Sequence, residues 1–213
     1  MPTPRRIWLE ASDGVPLEGR YTPGRGRRGA VCCHPHPLYG GTMDNRVIRR
    51  AEVACQDAGL ATVAFNFRGA GRSGGRFGAG VEEVQDVRAA IAYLGSAEGL
   101  DSAQVVLVGF SFGAYVAART ATQGPPAGDL ILIAPPAHLF PLAFLHKYAG
   151  PKLVIAGTRD EFCPDPEGFF ARLSDPKRLV LLEGDHFLVG AEAKLSQALL
   201  DYLGPGTSPG KVG

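Results

Sequence analysis

Two rhythms of apolar and polar positions alternate along this chain. Short apolar runs bounded by glycine, proline or charge predict strands at Gly29 to Cys33, Ala61 to Asn66, Val105 to Val108, Leu130 to Ala134, Leu153 to Ala156 and Arg178 to Leu182. Between them, apolar residues recur at helical spacing. Val84, Val87, Ala90, Ile91 and Leu94 predict a helix from about Val81 to Leu94, and Leu195, Ala198, Leu199 and Tyr202 predict one from Ala191 to Tyr202. Met43-Asp44-Asn45 offers a cap to a helix running to about Gln56. A small-residue segment rich in alanine, Ser111 to about Thr120, supplies a further helix. At the start, Arg6 to Ser12 and Val15 to Tyr21 flank Asp13-Gly14, a signal for a tight hairpin.

Repeated strand–helix units predict an α/β fold, with a mainly parallel sheet, helices on both faces and an N-terminal antiparallel hairpin. No repeat or long linker divides the chain, so a single domain is expected over residues 1–203. The ending GPGTSPGKVG, residues 204–213, is expected to be a flexible tail.

Charge adds little. Lys and Arg total 22 against 21 for Asp and Glu, a formal charge of +1, which offers no general attraction to nucleic acid or anionic membranes. The most apolar window, Leu130 to Leu145, is broken by prolines and is shorter than the roughly 20 residues of a spanning helix. MPTPRRIWLE has no apolar run after its arginines, so a secretory signal is not expected there. Cys32, Cys33, Cys55 and Cys163 lack metal-type spacing, and they read as free buried thiols of a cytoplasmic protein. Cys32 and Cys33 should face opposite sides of their strand.

The sharpest chemical signal is Gly109-Phe110-Ser111-Phe112-Gly113, a G-x-S-x-G between an apolar strand and a helix. A serine there must turn sharply, and the glycines remove side chains that would collide. The turn leaves the Phe112 N–H at a helix start, where it can face a developing oxyanion. A serine hydroxyl needs a base. Of the five histidines, His186 in Gly184-Asp185-His186-Phe187 follows the last strand, so its loop lies at the same sheet edge as Ser111. The acid that orients the imidazole is expected to be Asp160, after the strand LVIAG. Its rivals are Glu161, Asp165 beyond a proline, and Asp185, which is too near His186 to reach Nδ1 easily.

A second oxyanion donor should come from His34-Pro35-His36-Pro37-Leu38-Tyr39-Gly40-Gly41. The prolines have no N–H, which leaves that of His36 or Leu38. His34 and His36, at i and i+2 without a third ligand, make a weak case for a metal; hydrogen bonds bracing the loop explain them better. Gly69-Ala70-Gly71-Arg72-Ser73-Gly74 matches the dinucleotide pattern G-x-G-x-x-G. However, it follows the fourth strand in order, and no acid ends the next strand, so a nicotinamide or flavin cofactor is not expected.

Taken together, HPHPLYGGTMDN, FNFRGAGRSGG, GFSFG, GTRDEFCP and GDHF resemble the α/β-hydrolase superfamily across nearly the whole chain. More narrowly, they resemble its compact, lidless, esterase-like bacterial serine hydrolases. The resemblance implies Ser111 as nucleophile, Asp160 as triad acid and His186 as base. It also implies that the residue after the His34-Pro35 pair, His36, donates the second oxyanion N–H, although the superfamily usually has His-Gly there. FRGAGRSGG resembles the R-G-x-G-x-S loop after the fourth core strand, with Arg68 and Ser73 fixing the turn. Only about sixteen residues, 135–150, join two strands where relatives insert a helical cap, so no cap domain is expected. Tyr39, Phe110, Leu139 and Phe140 are the expected pocket side chains. Short-acyl carboxylic esters, cleaved without a cofactor, are the implied substrates. Thioesters, lactones and small peptides would suit the same triad, and a binding protein retaining the fold is the alternative outside enzymes. An exposed edge strand or the apolar segment 139–145 could pair two copies as a homodimer.

Overall fold

The computed structural model describes residues 2–125 and 127–204; the expected tail lies, beyond Gly204, outside the described residues. Eight strands form one sheet in the order β1-β2-β4-β3-β5-β6-β7-β8. β1 (Arg5–Glu10) and β2 (Pro16–Thr22) pair antiparallel, and β2 pairs antiparallel with β4 (Ala61–Phe65). All later pairings are parallel: β3 (Gly29–Cys33) lies between β4 and β5 (Val105–Phe110), followed by β6 (Leu130–Ile133), β7 (Lys152–Gly157) and β8 (Lys177–Leu182).

Helices cover both faces. α1 (Arg46–Asp57) and α5 (Glu192–Leu203) pack on one face through Ile48, Leu195 and Leu199. α2 (Glu83–Glu98) and α3 (Phe112–Thr122) cover the other through Val87, Leu94 and Val116. β3 to β7 are covered on both sides, which explains their unbroken apolar runs. Adjacent Cys32 and Cys33 belong to opposite cores, and all four cysteines are buried and free. Truncating a fully buried residue such as Leu107 to alanine should cost about 2–5 kcal/mol.

Local chemistry sets one boundary and one short helix that the apolar pattern does not give. α2 begins at Glu83 because its carboxylate accepts the Gly78 and Gly80 N–H groups, each at 2.7 Å; Val81 stays outside, exposed. The sequence periodicity does not reveal α4 (Pro166–Ala171), which is too short to repeat an apolar stripe. Its signal is Asp165-Pro166. Asp165 Oδ1 accepts the Gly168 N–H at 2.8 Å, and proline suits the first helical position. The connection between β6 and β7 holds one short 3₁₀ turn, Ala143–Lys147, and no cap domain. Among the described residues no helix is long and apolar enough to cross a membrane.

Candidate active site

The turn from β5 into α3 places Ser111 at φ +54°, ψ −121°, a region that non-glycine residues avoid and that costs on the order of 1–3 kcal/mol. The surroundings hold it there. Its N–H donates to the Ile133 carbonyl at 2.9 Å, and its own carbonyl accepts the Ala114 N–H at 2.8 Å. The flanking glycines are required by close packing. A Cβ at Gly109 would lie 2.3 Å from the Gly113 oxygen, and one at Gly113 would lie 2.1 Å from the Cys33 oxygen.

Three side chains converge at this turn. Ser111 Oγ lies 2.8 Å from His186 Nε2. On the far side of the ring, His186 Nδ1 lies 3.0 and 2.9 Å from the two Asp160 oxygens. A carboxylate can only accept, so the imidazole proton sits on Nδ1 and the Nε2 lone pair faces the serine hydroxyl. Asp160 is buried, and its Oδ1 also accepts the Phe162 N–H at 2.9 Å. The His186 ring stacks on Phe110 (5.5 Å between centroids) and meets the edges of Phe162 and Phe187 (4.6 and 5.5 Å). The rival acids are elsewhere: Asp165 caps α4, Asp185 accepts its own Phe187 N–H at 2.9 Å, and Glu161 is exposed.

The loop after β3 reaches the same edge. His34 is fully buried; Nδ1 donates to the Pro35 carbonyl at 2.6 Å and Nε2 accepts the Phe67 N–H at 2.9 Å. Burial pushes its pKa down from 6.5 to about 4, so the ring is neutral. Most N–H groups of the loop are spent inside it. Leu38 donates to His36 Nδ1 (3.3 Å), Tyr39 and Gly41 to the His36 carbonyl (both 3.1 Å), and Gly40 to the Pro37 carbonyl (3.3 Å). Among the described residues, the backbone N–H groups of His36 and Phe112 make no hydrogen bond to protein.

The glycine loop after β4 is closed on itself. Gly69 donates to Gly74, Ala70 to Phe67, Ser73 to Ala70 and Gly74 to Pro16. The Glu18 carboxylate accepts the Arg72 N–H at 3.0 Å. A phosphate cradle needs free N–H groups and no carboxylate, so this loop is no pyrophosphate site. Ser73 Oγ donates to the Asn66 carbonyl at 2.7 Å and accepts the Glu18 N–H at 3.0 Å. Arg68 binds Asp86 on α2 and Asp13 in the hairpin turn, both at 2.7 Å. Among the described residues no three His, Cys, Asp or Glu side chains gather as metal ligands.

A cavity of about 430 Å³ opens above Ser111, and Tyr39, Phe110, Leu139 and Phe140 line it, together with His36, Phe112 and His186. Asn45, Pro136, Phe162 and Phe187 also line it, none of them expected from the sequence as a pocket residue. Two of them had a signal available, since Phe162 follows the Asp160 motif closely and Phe187 is adjacent to His186. Leu38 is exposed and its N–H is already engaged.

The alpha/beta hydrolase family matches residues 31–209 of the chain. An uncharacterized protein of Rickettsia prowazekii (strain Madrid E) is 32% identical over 211 residues, covering 93% of this chain and 88% of that protein. The solved structure of an alpha-beta serine hydrolase homologue from Coxiella burnetii is similar with a TM-score of 0.86 and 35% identity, over 95% of this chain and 98% of that one. An a/b serine hydrolase without lid from Xanthomonas campestris is similar with a TM-score of 0.82 and 32% identity, over 94% of each chain.

Proposed function

This chain belongs to the alpha/beta hydrolase family, and from that premise we propose that it is a carboxylesterase-like serine hydrolase that cleaves small esters of short acyl chain through an acyl–Ser111 intermediate. The observation that carries this reading is the unbroken hydrogen-bonded chain Ser111–His186–Asp160 on the β5–α3 turn.

The steps follow from the tautomer. His186 Nε2 takes the hydroxyl proton as Ser111 Oγ attacks the ester carbonyl carbon. Asp160 stabilises the imidazolium that forms. The carbonyl oxygen becomes an oxyanion and is received by the Phe112 and His36 N–H groups. Their lack of a protein acceptor supports this role over Leu38. Each such donor is worth on the order of 10²–10³ in kcat. The imidazolium then protonates the alcohol oxygen as the C–O bond breaks. Water, deprotonated by His186, attacks the acyl–Ser111 carbonyl, and the carboxylic acid leaves with the serine restored. The small cavity and the absence of a cap favour compact acyl groups over long lipid chains.

Hydrolysis of a p-nitrophenyl short-chain ester, together with labelling by a fluorophosphonate, tests the reading. Both are expected in the wild type and both should vanish in Ser111→Ala. Wild-type turnover in that variant would overturn the assignment.

A further inference from the structure

The cavity above Ser111 is walled by rings in two groups. Phe110, Phe162 and Phe187 surround His186. His36 forms the other group, with Tyr39 at 4.8 Å, Phe112 at 5.0 Å and Phe140 at 6.5 Å between centroids, backed by Phe77 at 4.6 Å. On the serine-hydrolase reading, on which this inference rests, the alcohol leaves by taking a proton from His186 and so lies against the first group. The acyl part is left for the second.

That second group carries two polar side chains, His36 and Tyr39; Tyr39 is 87% exposed, whereas His36 lies within the ring cluster. His36 Nδ1 accepts the Leu38 N–H, which puts the ring proton on Nε2. Burial lowers the His36 pKa, so the ring is neutral near pH 7. Among the described residues Nε2 has no hydrogen-bond partner in the protein, and the ring packs among Tyr39, Phe112 and Phe140, which line the cavity together with His36. Among the described residues that line the cavity, none is an Asp, Glu, Lys or Arg. A charged acyl group would therefore lose water there without gaining a counter-charge.

We propose that the acyl half of the substrate ends in an uncharged planar ring, and that His36 is a specificity-determining residue whose Nε2–H donates to an oxygen carried by that ring. The surrounding rings favour an aromatic occupant through offset and edge-to-face contacts. The His36 donor then selects among aromatic acyl groups.

The test compares kcat/KM for methyl 3-phenylpropanoate, its ring-methoxy isomers, its ring-carboxylate isomers and the cyclohexyl analogue. The phenyl ester should exceed the cyclohexyl one by about fivefold, from ring contacts. The best methoxy isomer should exceed phenyl by about three- to tenfold, the yield of one hydrogen bond. The carboxylates should fall below phenyl by at least about 100-fold. In His36→Asn the asparagine still caps the Leu38 N–H, and the methoxy-to-phenyl ratio should fall to about one. Because the ratio is taken within one protein, any change in shared catalysis cancels. The inference is overturned if no methoxy isomer exceeds phenyl, if the ratio survives in His36→Asn, or if carboxylates turn over as fast as phenyl. Fluorophosphonate labelling of Ser111 separates the two levels. Labelling with a flat substrate series overturns only this inference, whereas no labelling overturns the hydrolase reading and this inference with it.

Discussion

His34 Nε2 accepts the Phe67 N–H at 2.9 Å, and this bond ties the loop after β3 to the chain leaving β4. With Nδ1 donating to Pro35, the ring braces the segment that presents His36 to the cavity. The Phe67 bond requires the neutral imidazole, because a protonated Nε2 could not accept, whereas Nδ1 donates to Pro35 in either state. The unfolded histidine takes a proton near pH 6.5, the folded one only near 4, so the unfolded chain binds more protons between these values. The contribution is complete above pH 6.5 and is lost as pH falls toward 4, by roughly 3 kcal/mol at most. Urea unfolding of wild type and His34→Gln at pH 7.5 and 4.5 checks this: the stability advantage of the wild type should shrink by roughly 2 kcal/mol at the lower pH. An advantage unchanged with pH would refute it.

Asp160→Asn should retain the fold, because an amide oxygen can still accept the Phe162 N–H. It removes the charge that holds the His186 proton on Nδ1. Ester turnover at pH 7.5 should drop on the order of 10³–10⁴-fold, mostly in kcat. A loss of less than about tenfold would mean that Asp160 is not the acid of the reaction.

The positive φ of Ser111 trades stability for function. Ser111→Gly removes the Cβ from a strained conformation, whereas Ser111→Ala keeps it there. Both should be inactive, but the glycine variant should be the more stable of the two by up to about 1 kcal/mol, after its greater unfolded-state entropy is counted. Thermal melts of the pair decide it; an alanine variant more stable than the glycine one would contradict a strained turn.

Arg68 makes two ion pairs of very different value. The Asp86 side chain is fully buried, and the Asp13 side chain is 42% exposed. Arg68→Met strands a buried carboxylate and should cost about 3–5 kcal/mol. Asp13→Ala removes a solvent-screened partner and should cost less than about 1 kcal/mol. Equal losses in urea titrations would show that the hairpin contact matters as much as the anchor on α2.

The sequence by itself determined what is local. Unbroken apolar runs separated by helical stripes imply a parallel sheet covered on both faces, because strands with two buried faces have no polar side to show. Parallel strands send their C-terminal ends to one edge, so a serine, an aspartate and a histidine that each follow a strand could be assigned to that edge from the chain alone. Only the tertiary structure decided which of these groups meet. His186 lies 75 residues from Ser111 and 26 from Asp160 along the chain, and their contact depends on strand order and side-chain direction. The same holds for the loop after β3, where sequence leaves two N–H groups open and the folded turn consumes that of Leu38. Asn45, Phe162 and Phe187 join the cavity for the same reason. Such features arise from packing between segments distant in sequence, and they leave no period in the chain.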